Sequence, residues 1–264
     1  MAILGTAAMS ATWGQLPSAR VLGGTEVLVG GAELDLGGRL ARRLVAVLVL
    51  AEQRPVPDEL IWQALWGDSP PARAAASIQA YVSRLRAGLG DNLRQAVMRT
   101  RGGYQLHVAE VDATIFAGQV IRSERALLAG EAAEAEQASS CALQLWRGVP
   151  YLELDCWPEA EIARSRLDEL HALAEEVHIG ARLQQGETDE LAPDAEAAVQ
   201  AAPFREHRWQ LLILTLYRSG RQGDALAALS RARWLLNSEL GVDPGPELRE
   251  LEQRVLRHDP ELLR

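Results

Sequence analysis

The stretch from Pro71 to Leu89 constrains this chain most. In PARAAASIQAYVSRLRAGL, the residues Ile78, Val82, Leu85 and Leu89 fall at i, i+4, i+7 and i+11, so they form one stripe of a 3.6-residue period. At about 100° per residue, the opposite side is Arg73, Ala76, Ala80, Ser83, Arg84 and Ala87. Gln79 and Arg86 lie on one flank and Ser77 on the other. An ordinary solvated face mixes acids with bases, whereas this face has small residues, Arg, Ser and Gln and no acid. Low bulk near the backbone, with side chains that bond phosphates or base edges, suits a helix that enters a DNA groove.

The residues that follow predict a hairpin. Val97, Arg99 and Arg101 alternate with Met98 and Thr100; Gly102-Gly103 supplies the positive φ of a tight turn; Tyr104, Leu106 and Val108 return. A helix followed at once by a basic, Gly-tipped hairpin is the layout of a winged helix, with the helix in the major groove and the hairpin at the backbone or minor groove. The expected DNA contacts follow from this layout. Arg84 is placed for a base or phosphate, Arg86 for a flanking phosphate and Arg73 for a phosphate near the helix start. Ser77, Gln79 and Ser83 serve as positioning or base contacts. On the wing, Arg99, Thr100 and Arg101 are the candidates, with one Arg entering the minor groove. Tyr81, at the border of the stripe, is read as a core ring whose hydroxyl faces a phosphate, and Tyr104 as a packing residue of the hairpin.

A net charge of −9 argues against a nucleic-acid partner until it is divided. Residues 1–108 carry 11 Arg against 8 acids, or +3, and residues 109–264 carry 16 against 28, or −12. Such asymmetry suggests a mildly basic nucleic-acid module joined to an acidic module with another task. All 27 basic residues are Arg, so every cationic contact is a planar fork able to bond bidentately.

At 264 residues and 48% hydrophobic content, the chain can build two ordinary domains. Residues 1–18 lack periodicity and are expected to be a disordered leader. From Arg20 to Leu36, glycine-cut apolar runs predict a small antiparallel sheet. Arg39 to Glu52 reads as a helix with a buried body; Arg39, Arg42 and Arg43 at its start are either phosphate ligands or solvated charges. Pro57-Asp58-Glu59 opens a second helix that stops at Gly67. Beyond Asp112 helices are predicted at about 112–129, 132–146, 157–185, 190–202, 206–219, 222–240 and 246–257. Gly186 and Gly220 lie 34 residues apart, the period of tetratricopeptide repeats, while Gly130 breaks the period; a plain helical bundle is the alternative. The acids from Glu153 to Glu176 are read as a solvated helix face, and His171 and His178 as ordinary helix residues.

Cys141 and Cys156 match no disulfide framework or zinc pattern, so both are expected to be reduced thiols. No apolar run has membrane-spanning length, and no nucleophile-elbow, dinucleotide or zinc-protease motif occurs. No enzyme, metal or cofactor is expected.

From about Arg20 to Leu256 the chain resembles the Streptomyces antibiotic regulatory proteins, the SARP family. Five segments carry the resemblance: Glu239 to Leu248 (ELGVDPGPEL), Leu216 to Leu226 (LYRSGRQGDAL), Leu145 to Gly148 (LWRG), Asp58 to Gly67 (DELIWQALWG) and Tyr81 to Arg86 (YVSRLR). It implies a mainly α chain. An OmpR-type winged helix-turn-helix, with a small β-sheet and a β-hairpin wing, would occupy 19–110, and an all-α, tetratricopeptide-like bacterial transcriptional activation domain 111–264. It further implies a cytoplasmic activator in which two protomers sit on promoter direct repeats and recruit RNA polymerase holoenzyme through σ and core subunits, at a secondary-metabolite gene cluster. Departures from the family pattern are Trp62 for a polar residue, Ala87 for a common Arg, and Arg101-Gly-Gly-Tyr104 for a proline-containing wing tip. The absence of a P-loop suggests the short form of the family. The competing reading is a helical-repeat scaffold that binds protein or small ligands without specific DNA binding.

Overall fold

The computed structural model describes residues 16–155, 157–188 and 190–263. The described residues fall into two compact units: one holds the chain up to Ala117 together with 144–169, the other 118–143 together with 170 onward.

The first unit opens with a three-stranded antiparallel sheet of β1 (Ser18–Arg20), β2 (Glu26–Val29) and β3 (Ala32–Glu33), in sequence order. Most of the expected leader lies outside the described residues, but its last residues are ordered. Ser18 pairs with Leu28, and the Pro17 carbonyl accepts from Ala109 N–H at 2.8 Å, so strand pairing begins before Arg20. Three helices follow: α1 (Arg39–Leu50), α2 (Asp58–Trp66) and α3 (Ala74–Leu89). The run Leu44 to Val49 in α1 is buried on every side, as its unbroken apolar sequence requires. The α2 helix carries Asp58 and Glu59 in its first turn, at the positive end of the dipole, and ends at Gly67 with φ 62°. In α3 the predicted stripe Ile78, Val82, Leu85 and Leu89 is buried. Strands β4 (Val97–Thr100) and β5 (Gly103–Leu106) then form the hairpin.

The segment 144–155 packs into this same unit through carboxylates. Asp112, 5% exposed, accepts from Val21 N–H at 2.7 Å, Leu22 N–H at 3.1 Å and Ala113 N–H at 2.8 Å, and meets Arg147 at 3.4 Å. Burial outweighs these donors and raises its pKa. Glu153 accepts from Thr25 N–H at 3.0 Å and from its hydroxyl at 2.6 Å. Asp155 holds Arg39 at 2.9 Å and Arg43 at 3.4 Å, so two of the three α1 arginines form ion pairs within the unit while Arg39 stays exposed. Phe116 and Trp146 meet at 5.3 Å between ring centroids. The solvated role expected for the acids from Glu153 onward therefore fails at Glu153, which is buried because it satisfies a backbone turn 128 residues away.

The second unit is helical. Its elements come from α4 (Asp112–Leu128), α5 (Ala132–Gln144), α6 (Pro158–Gln184), α7 (Leu191–Ala201), α8 (Glu206–Arg218), α9 (Gln222–Leu235) and α10 (Pro246–Leu256). These bounds lie within about two residues of the periodicity reading, except that the expected 222–240 helix changes at Leu235 to a π-helical turn, Leu236–Leu240. Gly130, Gly186 and Gly220 build the same turn. Each takes a left-handed φ, and the N–H of the residue after it bonds five residues back: Glu131 to Ala126, Glu187 to Arg182, Arg221 to Leu216. This is the glycine helix stop of a repeated helical hairpin. The core is small-residue-rich, with Ala195, Ala225 and Ala232 fully buried beside Leu191, Leu212, Ile213 and Trp209. Glu176 also departs from the solvated reading: it is 5% exposed and accepts from Arg208 at 3.0 Å and Arg205 at 2.7 Å. Buried charges persist when paired and hydrogen-bonded in this way. No helix of the described residues is long and apolar enough to cross a membrane.

Candidate nucleic-acid interface

The outer face of α3 is as acid-free in three dimensions as in sequence: Arg73, Ala76, Gln79, Ala80, Ser83, Arg84 and Ala87 are all exposed, and Ser77 is half-buried on the flank. Exposure matches the amphipathic pattern, in which the apolar stripe is buried and the polar and small residues lie on the opposite side. Arg73 precedes the first turn, and its carbonyl accepts from Ser77 N–H at 3.0 Å. Arg84 reaches back over Gly37, where an added Cβ would stand 3.1 Å from its Nη1. Neither the Arg73 nor the Arg84 guanidinium has a hydrogen bond or ion pair among the described residues. Tyr81 is half-buried, in keeping with its place at the border of the stripe.

Arg86 is committed inside the protein. Its Nε and Nη2 donate to the Val97 carbonyl at 3.0 and 2.9 Å, tying the end of the helix to the first strand of the hairpin. Between helix and hairpin lies a cleft of about 390 Å³, whose lining includes Gln79, Ser83, Arg86, Asp91, Arg94 and Tyr104.

The wing differs from expectation at its turn. Thr100 pairs with Gly103, so Arg101 and Gly102 are the loop residues. Gly103, not Gly102, has the positive φ, at 127°. Its lack of a Cβ serves a close approach: a Cβ there would fall 1.8 Å from the Val56 carbonyl oxygen, because Val56 and Tyr104 exchange backbone bonds of 2.7 and 3.0 Å. The Thr100 hydroxyl accepts from Gly102 N–H at 3.1 Å and donates to the Gly103 carbonyl at 3.2 Å, so it closes the turn. Arg99 forks onto Asp58, with Nη2 to Oδ2 at 2.9 Å, and its guanidinium lies 4.5 Å from the Tyr104 ring centroid. The hydrogen bond to Asp58 raises the Arg99 pKa. Tyr104 is buried, as its packing role predicts. Of the three wing candidates, Arg101 alone is exposed at the tip without a hydrogen bond or ion pair among the described residues.

Nine residues were read from the sequence as DNA contacts. The structure brings Arg73, Gln79, Ser83 and Arg84 together on the exposed side of the helix, leaves Ser77 half-buried on its flank and sets Arg101 at the wing tip, while Arg86, Arg99 and Thr100 are engaged internally. Asp58, which the sequence offers as a helix-start acid, anchors the wing from α2; its partner lies 41 residues on, with no local signal. Among the described residues no group of three or more His, Cys, Asp or Glu could hold a metal ion.

A three-helix unit with a hairpin wing, joined to glycine-punctuated helical hairpins, defines a class of bacterial regulator. Residues 31–106 match the family described as transcriptional regulatory protein, C terminal, and residues 111–256 match the bacterial transcriptional activator domain. Regulatory protein AfsR of Streptomyces griseus is 37% identical over 92% of this chain, which spans 25% of that protein. Regulatory protein DnrI of Streptomyces peucetius is 31% identical, with 84% of this chain and 85% of that protein covered. The solved structure of Mycobacterium tuberculosis EmbR, in complex with a low affinity phosphopeptide, superposes with a TM-score of 0.83 at 33% identity, covering 92% of this chain and 65% of that one. The chain belongs to the SARP family of transcriptional regulators.

Proposed function

We propose that this protein is a sequence-specific DNA-binding activator that inserts α3 into the major groove of double-stranded promoter DNA. The observation that carries this reading is the exposed, acid-free face of Arg73, Gln79, Ser83 and Arg84 beside an exposed Arg101 on the wing. The helix face reads base edges and phosphates, and Arg101 reaches the neighbouring backbone or minor groove. Residues 19–110 supply the DNA contacts. The helical domain 111–264 supplies the activating surface, which meets σ and core subunits of RNA polymerase holoenzyme. Two protomers occupy direct repeats about one helical turn apart, so that both present the same side to the polymerase. The site of action is the cytoplasm, at the promoter of a secondary-metabolite cluster, in line with the similarity to AfsR and DnrI.

The test is selection from a random-sequence duplex library by the full chain, followed by footprinting and run-off transcription with holoenzyme. A repeated motif in direct orientation, with transcription raised from promoters that carry it, is the expected result. A library with no enrichment, at low salt and with holoenzyme present, would leave the helical-repeat scaffold as the better reading.

A further inference from the structure

Three arginines of α3 and the wing look alike in sequence but not in their bonding. Arg101 projects from the loop, whereas Arg86 and Arg99 spend their donors inside the protein. Both internal bonds end on the first wing strand, or start from it. Arg86 grips the carbonyl of Val97 at the base of β4, and Arg99, near the tip of β4, grips Asp58 in the first turn of α2. The second strand is held by the backbone exchange between Val56 and Tyr104, two residues before Asp58. Arg99 and Tyr104 are cross-strand partners, so the cation–ring contact adds to the same join.

We propose that Asp58 and Arg99 form a wing lock: a pair of positioning residues that hold the hairpin against α2 at a fixed offset from the recognition helix, so that of the wing arginines Arg101 alone is presented to DNA. The inference rests on the DNA-binding reading above. It assigns Arg99 to positioning and not to phosphate contact. A two-stranded ribbon is marginal by itself and needs such anchoring to keep one orientation. A pre-set wing also loses less conformational freedom on binding. The lock makes a prediction opposite in sign to simple electrostatics. Asp58→Asn removes a negative charge from a protein that binds a polyanion, which by charge alone tightens binding. Through the lock it weakens binding.

The experiment uses the full chain, hydrogen exchange of the wing amides, and salt-titrated anisotropy on a fluorescent duplex enriched by the native protein. Asp58→Asn and Arg99→Met are expected to speed exchange at Arg99 to Gln105 and to weaken DNA binding by about fivefold, the scale of a well-formed exposed bidentate pair. The slope of log affinity against log salt stays as in the native protein. Arg101→Ala lowers that slope by about 0.9, the value for one lost phosphate contact, and leaves wing exchange unchanged. The exchanged pair Asp58→Arg with Arg99→Asp restores wing protection, which separates the lock from general destabilisation. Equal or tighter DNA binding by Asp58→Asn with native wing exchange would overturn the proposal, as would a slope lowered by about one in Arg99→Met. A library without enrichment would instead count against DNA binding, while the exchange data would still report on the lock.

Discussion

Asp112→Asn is the sharpest test of how the first unit is held together. Both carboxylate oxygens of Asp112 face donors only: Oδ1 takes Val21 and Ala113, and Oδ2 takes Leu22 and Arg147. An amide of the same shape keeps one acceptor and turns an NH2 group toward donors. In one orientation it leaves the buried Leu22 N–H unpaired, and in the other those of Val21 and Ala113. An unsatisfied buried donor costs about 1–3 kcal/mol, and loss of charge weakens the bonds that survive. Against this, burial already penalises the ionised carboxylate, so the neutral amide recovers part of that cost. The net expectation is a loss of about 2 kcal/mol from the first unit, near the middle of the range for one orphaned donor. For a unit of this size that corresponds to about 4–8 °C in Tm. Urea and thermal unfolding followed by tryptophan fluorescence would read it, since Trp146 packs on Phe116 in this unit. A variant within about 0.5 kcal/mol of the native protein, the usual range of a surface change, would refute the claim that Asp112 ties the β1–β2 turn to the segment beyond the winged helix.

Two further outcomes follow from the same geometry. Gly103→Ala forces a Cβ onto the Val56 carbonyl and should detach the wing, seen as lost protection of Tyr104 N–H and DNA binding weakened by about tenfold or more, the equivalent of about 1.4 kcal/mol or greater. His178, whose Nδ1 lies 3.2 Å from the Ser139 hydroxyl, has its pKa lowered first by burial and then by Arg182, while Glu136 and Asp194 act the other way. The folded state therefore binds fewer protons than the unfolded one. Stability of the second unit is full above the ordinary value of 6.5 and falls as pH drops below it, and His178→Gln should flatten that dependence in pH-series denaturation.

Much of this architecture is legible in the sequence because periodicity and glycine stops are local signals. The stripe of α3, the limits of α2 and the 34-residue spacing of Gly186 and Gly220 could be read directly. What a sequence does not give is a partner at a distance. Arg86, Arg99 and Arg101 carry the same charge within sixteen residues, yet only contacts across 11 and 41 residues separate two positioning side chains from the free one. The glycine at the wing serves a second purpose beside the positive φ expected of it: Gly103 makes room for Val56, which no turn rule contains. Glu153 and Glu176 looked solvated because acids usually are. Their burial is intelligible only beside Thr25 and Arg208.

The central claim is that the exposed face of α3 reads DNA, and Arg84 is its most direct test. On the enriched duplex, with random duplex as competitor and salt varied, Arg84→Ala should lose about 1–3 kcal/mol of binding if the side chain contacts a base, with relaxed preference at one position of the motif. Unchanged affinity and unchanged preference in Arg84→Ala would contradict the account.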